Sequence, residues 1–571
     1  MSLLATVSRS AEGGGLYGSG ASLRATVLLC FFGLFFLSLA TVSKFAVAFH
    51  MGYQGALGAG AVATALLITA CIVPVFQFAR FSFGYLVGFY LFTMIAGYIW
   101  INRFSELDYD HGAALISAVV SITLFLVPVL LIRPQTNGVV AIPLGIFNHV
   151  PACILGFAAL TLVIASRNGF HFGGLSEMSK YRTEFVHPLL VRYAIGNISG
   201  ALVPFAFACL FEKRRWLALL ALFSVAAMYY PVTMTKVSLF LPFYLVFIAV
   251  LSTMFEARIS AVLSLLVPLS VGLFEFSFLS DVSTSAFGLF NFRLLAIPST
   301  SLEHYNAFFA NHPLTHFCQI LIVKSFVACP YADQLGVVLA DAYNLGNMNA
   351  SLFATEGVAS VGTAFAPLSA LVCGLVVAVG NGASARLPDR FVLISASVIP
   401  HLLLNVPLST TLLSNGLGLL ILLWYVTPRS YFDKVAIEVT PCRAAPKLRA
   451  SIANRFASFF KGIVRPPGSN PNVPEVEPLS PGHAFEASAV LSTTHVDTKF
   501  PSSLLIRGPS PTIPAATLRG IRDGCPVQEL RTRLDAGGGG VDLARGQPGL
   551  YARGRAGLQR RRDARLRCVR S

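Results

Sequence analysis

Residues 193–254 read YAIGNISGALVPFAFACLFEKRRWLALLALFSVAAMYYPVTMTKVSLFLPFYLVFIAVLSTM. Three apolar runs, 193–211, 215–231 and 237–254, are cut by EKRR at 212–215 and by TMTK at 233–236. Each run is close to the roughly 20 residues a helix needs to cross a bilayer core of about 30 Å. Hydrocarbon offers no partner to a bare peptide group, so such runs satisfy their backbone internally, as helices. The stretch therefore reads as three consecutive membrane spans joined by short charged turns.

The same pattern extends both ways. Apolar runs occur at 25–48, 56–79, 82–101, 112–132, 150–166, 193–211, 215–231, 237–254, 259–280, 355–380, 391–406 and 411–427. The last two are parted only by a turn at Pro407 and can form one bent element. Hydrophobic types make up 55% of the 571 residues and charged types 12%, about half the share of an average soluble domain. Mean hydropathy is +0.69. A soluble protein of this composition could not cover its own surface. The expected fold is all-α, a polytopic transmembrane bundle of about twelve helices spanning 25–430, after a short N-terminal segment 1–24.

Charge is unevenly spread. Residues 431–571 hold 22 Lys and Arg against 11 acids, while 1–430 hold 20 against 15. The basic excess therefore sits in a Pro-, Ser-, Gly- and Arg-rich tail without hydrophobic periodicity, which reads as disordered. It is no argument for nucleic acid, and none is expected as a partner; a basic segment beside a bilayer faces the anionic inner leaflet instead. With EKRR, it puts both termini in the cytoplasm and the connections 167–192 and 281–354 outside. The second connection is half apolar and aromatic, which suggests helices lying in the interface. Of ten cysteines, Cys30, Cys71, Cys153, Cys209 and Cys373 fall in apolar runs and read as small buried hydrophobes. Cys318 and Cys329 share the second connection, where a disulfide is open to them.

In so charge-poor a chain, Arg182, Lys236 and Arg293 stand out on the outer face. Cations near membrane depth are costly and tend to mark substrate paths. Snorkelling to headgroups, or pairing with a nearby acid such as Glu184, is the plainer reading of each alone. Converging cations suit a polyanion, because a guanidinium fork matches phosphate oxygens and an ammonium adds a point charge.

In order, the chain carries LSEMSKYRTEFVHPLLVRYAIGNISGALVPFAFACLFEKRRW, TMTKVSLFLPFYL, FRLLAIPSTSLEHYNAFFANHP and NMNASLFATEGVASVGTAFAPL. This series, over roughly 170–380, resembles the oligosaccharide repeat-unit polymerases of the Wzy type. The resemblance implies a GT-C-like bundle in a bacterial inner membrane. It implies transfer of a growing glycan from undecaprenyl diphosphate to the end sugar of a fresh carrier-linked unit. A flippase and a chain-length regulator would be its pathway partners, and no cofactor or metal is called for. Arg182, Lys236 and Arg293 would bind the diphosphate, with Arg293 also stabilising the leaving phosphate.

The acceptor hydroxyl needs a base. Glu303 is the first choice and His312 the second; His304 and His316 are nearby. A lone histidine in an aromatic loop is more often a structural hydrogen-bonder, and His312 before Pro313 looks like a helix start. Glu356, in ATEGVAS, is a third acid or a cap of its own helix. ELDYDHG, with Glu106, Asp108, Asp110 and His111, could hold a hard cation, but a short solvated acidic loop is the commoner reading. A ligase would share these cations and differ only in acceptor. A transporter is disfavoured, because no internal repeat is seen and the charges gather at one face.

Overall fold

The computed structural model describes residues 14–43, 55–132, 141–174, 185, 187–279, 286–320 and 323–433. The chain divides into two units, Met1–Pro467 and Gly468–Ser571, and every described residue belongs to the first. The expected tail lies outside the described residues from 434 onward.

The helices are α1 (Gly14–Ser43), α2 (Gly55–Phe78), α3 (Phe83–Ile101), α4 (His111–Leu131), α5 (Leu144–Ser166), α6 (Leu189–Glu212), α7 (Trp216–Thr233), α8 (Lys236–Met254) and α9 (Ala257–Leu279). Next come α10, a π-helical segment Phe287–Ala296 running on as α-helix Ile297–Asn311, then α11 (Leu335–Tyr343) and α12 (Phe353–Ser384). The last are α13 (Asp389–Ala396), α14 (Val398–Leu403), α15 (Leu408–Leu413) and α16 (Leu417–Val426). Among the described residues nine helices, α1, α3 to α9 and α12, are long and apolar enough to cross a bilayer. The chain is a multi-pass helical membrane protein.

The count of twelve is not reached among these residues. The runs at 391–406 and 411–427 resolve into four short helices, broken at Ser397, at Pro407 and at Ser414–Gly416. Of α2, only Val62–Phe78 counts as an apolar helix, and it is shorter than a span.

The fold is built round α3. All nineteen of its residues are buried, so a helix apolar on every side serves as the central pillar. Ser82 starts it by accepting from the Tyr85 N–H at 3.0 Å. Asn381 on α12 then ties three helices together. Its Oδ1 accepts from Gly84 N–H at 2.6 Å, and its Nδ2 donates to the Val129 carbonyl of α4 at 2.7 Å. Lipid is as apolar as leucine, so such bonds and close packing hold the bundle rather than hydrophobic burial. Gly374 lets α12 approach α4: a β-carbon there would meet the Phe125 carbonyl oxygen at 2.7 Å.

The largest departure from expectation is α10. It is not an amphipathic helix with one free face. It packs in the bundle against α3, with Pro298 through Phe309 all buried. Gly97 makes this possible, because any β-carbon at 97 would collide with the Ser299 hydroxyl. That hydroxyl donates to the Met94 carbonyl at 2.8 Å, and Asn291 donates to Ser38 Oγ at 2.9 Å and to the Leu269 carbonyl at 3.0 Å.

Charged contacts tie the helices together near their ends. Arg24 pairs with Glu256 at 3.2 Å, Arg258 donates to the Ala79 carbonyl at 3.2 Å, and Arg390 forks onto Glu212 at 2.5 and 2.7 Å.

Candidate functional site

The first site begins at the turn into α8. Met234 adopts a left-handed backbone (φ 47°), which reverses the chain. Thr235 caps the helix, its hydroxyl accepting from Ser238 N–H at 3.3 Å, and Thr233 donates to Ser238 Oγ at 2.9 Å. Lys236 is the first helical residue and is exposed. It therefore stands where the helix dipole is positive. Arg293, on the π-helical part of α10, is also exposed, and its charge acts on the Lys236 ammonium. Among the described residues neither cation has a carboxylate partner. Two like charges with a helix N-terminus and no counter-ion form a site that an anion relieves. π-helical segments recur at functional sites, and Arg293 sits on one.

Arg182 lies outside the described residues. The chain on either side of it is held to the same turn. The His171 N–H donates to the Pro231 carbonyl at 2.9 Å, the Tyr230 hydroxyl to the Gly173 carbonyl at 2.6 Å, and His187 Nε2 to the Val232 carbonyl at 3.1 Å.

Glu303 lies ten residues beyond Arg293 on α10, roughly 15 Å along a helix rising about 1.5 Å per residue. It is fully buried. Ser105, Tyr109 and Asn102 surround it, yet neither carboxylate oxygen accepts a hydrogen bond of acceptable geometry. His111 Nδ1 stands 3.7 Å from Oε1. Burial pushes the Glu303 carboxyl above the usual carboxylate range, and its polar neighbours and His111 hold part of that rise back. Burial and then Glu303 push the Tyr109 phenol up as well. A buried acid with two open acceptors beside the connection between α3 and α4 suits a group that binds a hydroxyl. A polar chain runs on from it: Asn102 donates to Tyr109 Oη at 2.9 Å, Asn306 to Tyr98 Oη at 3.3 Å, and Thr363 to Asn306 Oδ1 at 3.2 Å.

The other histidines take structural positions. His312 ends α10 rather than starting a helix, because its extended backbone before Pro313 stops the chain. Its Nδ1 donates to the Phe308 carbonyl at 2.7 Å and its ring stacks on Phe308 at 3.9 Å. His304 Nδ1 donates to the Thr300 carbonyl at 2.8 Å. Glu356 caps α15 rather than its own helix: it accepts from Ser409 N–H at 2.9 Å and from the Ser409 hydroxyl at 2.8 Å.

Beyond the end of α10 an apolar groove of about 690 Å³ opens between residues 314–320 and α12. Leu314, Phe317, Phe365, Leu368 and Val372 line it, with Glu356 and Ser409 as polar points. Lys236 and Arg293 are not part of it. At its rim His316 (φ 46°) and Phe317 (φ 61°) are both left-handed, a costly pair for non-glycine residues. Thr315 N–H bonded to the Ala359 carbonyl at 2.8 Å and a Cys318–Cys329 disulfide secure that turn. Of the cysteines in apolar runs, Cys209 and Cys373 are buried, while Cys30, Cys71 and Cys153 are exposed on apolar helices. The bilayer, rather than protein, is the apolar surrounding open to these three.

The acidic connection does not converge. Asp110 caps α4 by accepting from Ala113 N–H at 2.9 Å, and no metal-holding group of His, Cys, Asp and Glu occurs among the described residues. The sequence reading missed that His111 faces Glu303. It also missed a polar knot at the bundle centre, where Tyr90 Oη meets Ser264 Oγ at 2.6 Å and both His401 Nε2 and Tyr244 Oη at 3.2 Å. The signal was a histidine inside an apolar run.

No protein-family model, no curated protein and no solved structure matches the chain.

Proposed function

We propose that the chain is a membrane glycosyltransferase that polymerises undecaprenyl-diphosphate-linked oligosaccharide repeat units. It would work at the outer face of a bacterial inner membrane, in a GT-C-like bundle of about twelve spans with both termini cytoplasmic. One observation carries the reading: Lys236, opening α8, and Arg293, on α10, are both exposed, the charge of Arg293 acts on Lys236, and among the described residues neither has a carboxylate partner. An anion of high charge is the natural occupant.

In the transfer, the acceptor oxygen forms a bond to the anomeric carbon as the bond from that carbon to phosphate oxygen breaks. The electron pair leaves on the diphosphate, where Lys236 and Arg293 stabilise it as it develops, with Arg182 as a further candidate. The acceptor proton passes to Glu303; His312, committed to Phe308, is the weaker base. The roughly 15 Å of α10 between Arg293 and Glu303 is the scale of a diphosphate bearing a sugar. The groove past the end of α10 suits an isoprenoid chain. A flippase and a chain-length regulator act with such an enzyme, and the bilayer delivers its substrates.

Surface glycan from a deletion strain tests this. Single repeat units on the anchor support polymerisation. Carrier-linked polymer indicates a ligase instead, and repeat units trapped inside indicate a flippase.

A further inference from the structure

We propose that His111 is the proton-exchange partner of Glu303, passing the proton that Glu303 takes up at each transfer to the outer solution. The source of that proton rests on the polymerase reading; the coupling between the two side chains does not.

The ring's hydrogen bonds fix its tautomer. His111 Nε2 lies 2.9 Å from the Leu107 carbonyl, which only accepts, so Nε2 carries hydrogen. Nδ1 then bears the lone pair, which accepts from Asn102 Nδ2 at 3.3 Å and faces Glu303 Oε1 at 3.7 Å. A small approach or one water brings the carboxyl proton onto Nδ1. The two side chains differ in access: 32% of His111 is exposed against 1% of Glu303. A proton held on Glu303 has no direct way to water, while one on His111 does. The cycle balances: the acceptor O–H gives its proton to the Glu303 carboxylate, the acid gives it to Nδ1, and the imidazolium loses that Nδ1 proton to solvent while Nε2 keeps its own. Both groups return to their starting states.

The other groups facing Glu303 are poor recipients. Tyr98 on α3, Tyr109 on the connection and Tyr343 on α11 feel its charge but are weak bases as phenols. Asn102 and Ser105 do not titrate, and His304 directs Nδ1 at the Thr300 carbonyl. Glu106, Asp108 and Asp110 on the same connection are exposed to solvent.

The test uses the full chain in lipid nanodiscs and reads the carboxylic-acid stretch of Glu303 by infrared titration. The band is assigned by its loss in Glu303→Gln. Once the proton has moved, the pair is a carboxylate beside an imidazolium, and that state lowers the acid's midpoint, so His111→Gln is expected to raise the Glu303 midpoint by roughly one to three pH units. An unchanged midpoint overturns the proposal. Where His111→Gln does not fold, His111→Ala with added imidazole replaces it. Return of the midpoint toward wild type on adding imidazole supports exchange through this ring, and no return overturns it. If the midpoint moves while a deletion strain still builds normal polymer, the pairing stands and the polymerase reading falls.

Discussion

Ser299 of α10 seats its hydroxyl in the notch that Gly97 leaves on the central helix and donates to the Met94 carbonyl at 2.8 Å. This contact holds the helix that carries both Arg293 and Glu303. Gly97→Ala forces the two helices apart at a packed contact and should cost about 1–3 kcal/mol. Thermal unfolding in detergent reads this directly, and Ser299→Ala should lose only about 0.5–1.5 kcal/mol. Equal stability of Gly97→Ala and wild type would mean that α10 is not pinned there.

In the proposed mechanism Glu303 is the base, a role it can fill only when ionised, and burial raises its midpoint. Polymer formation is therefore expected to fall as pH drops through that raised midpoint, at higher pH than an exposed carboxylate would allow. Glu303→Gln should lower the rate by roughly 10²–10⁴ without loss of folded protein, because the amide is isosteric and uncharged. The rate measured against pH in wild type and variant checks both. Wild-type rates in Glu303→Gln would remove it from the chemistry.

Arg214 and Gln334 are both exposed, and the proposed topology puts them on opposite faces of the membrane. A membrane-impermeant thiol reagent on intact cells should label Gln334→Cys and spare Arg214→Cys. Cys318 and Cys329, joined in the same connection, should react only after reduction. Oxidising compartments keep such bonds, so free thiols there would argue for the reverse orientation.

The membrane nature of the fold was legible because apolar runs of about 20 residues have few other uses. The position of α10 was not. Ser299, Thr300, Ser301, Glu303, His304 and Asn306 are polar, so the segment reads as interfacial, yet every one is buried against neighbouring helices. Ser299 and Asn306 are hidden there because partners such as Met94, Tyr98 and Thr363 stand opposite, and a single sequence does not reveal those partners. Likewise the exposed cations were visible one by one, while the approach of Lys236 to Arg293, and of His111 to Glu303 across 192 positions, exists only in the folded chain. The groove was hidden for the same reason, as its walls come from three separate segments.

The central claim is that Arg293 and Lys236 hold a departing diphosphate, and the polymer ladder tests it most directly. A deletion strain is complemented with Arg293→Ala or Arg293→Lys at matched membrane expression. Losing a cation aimed at the leaving group should cost about 3–4 kcal/mol, or roughly 10²–10³ in rate, so Arg293→Ala should leave short or single units. Arg293→Lys should rescue only in part, because the ammonium keeps the charge and loses the fork. Full-length polymer from Arg293→Ala would contradict the account.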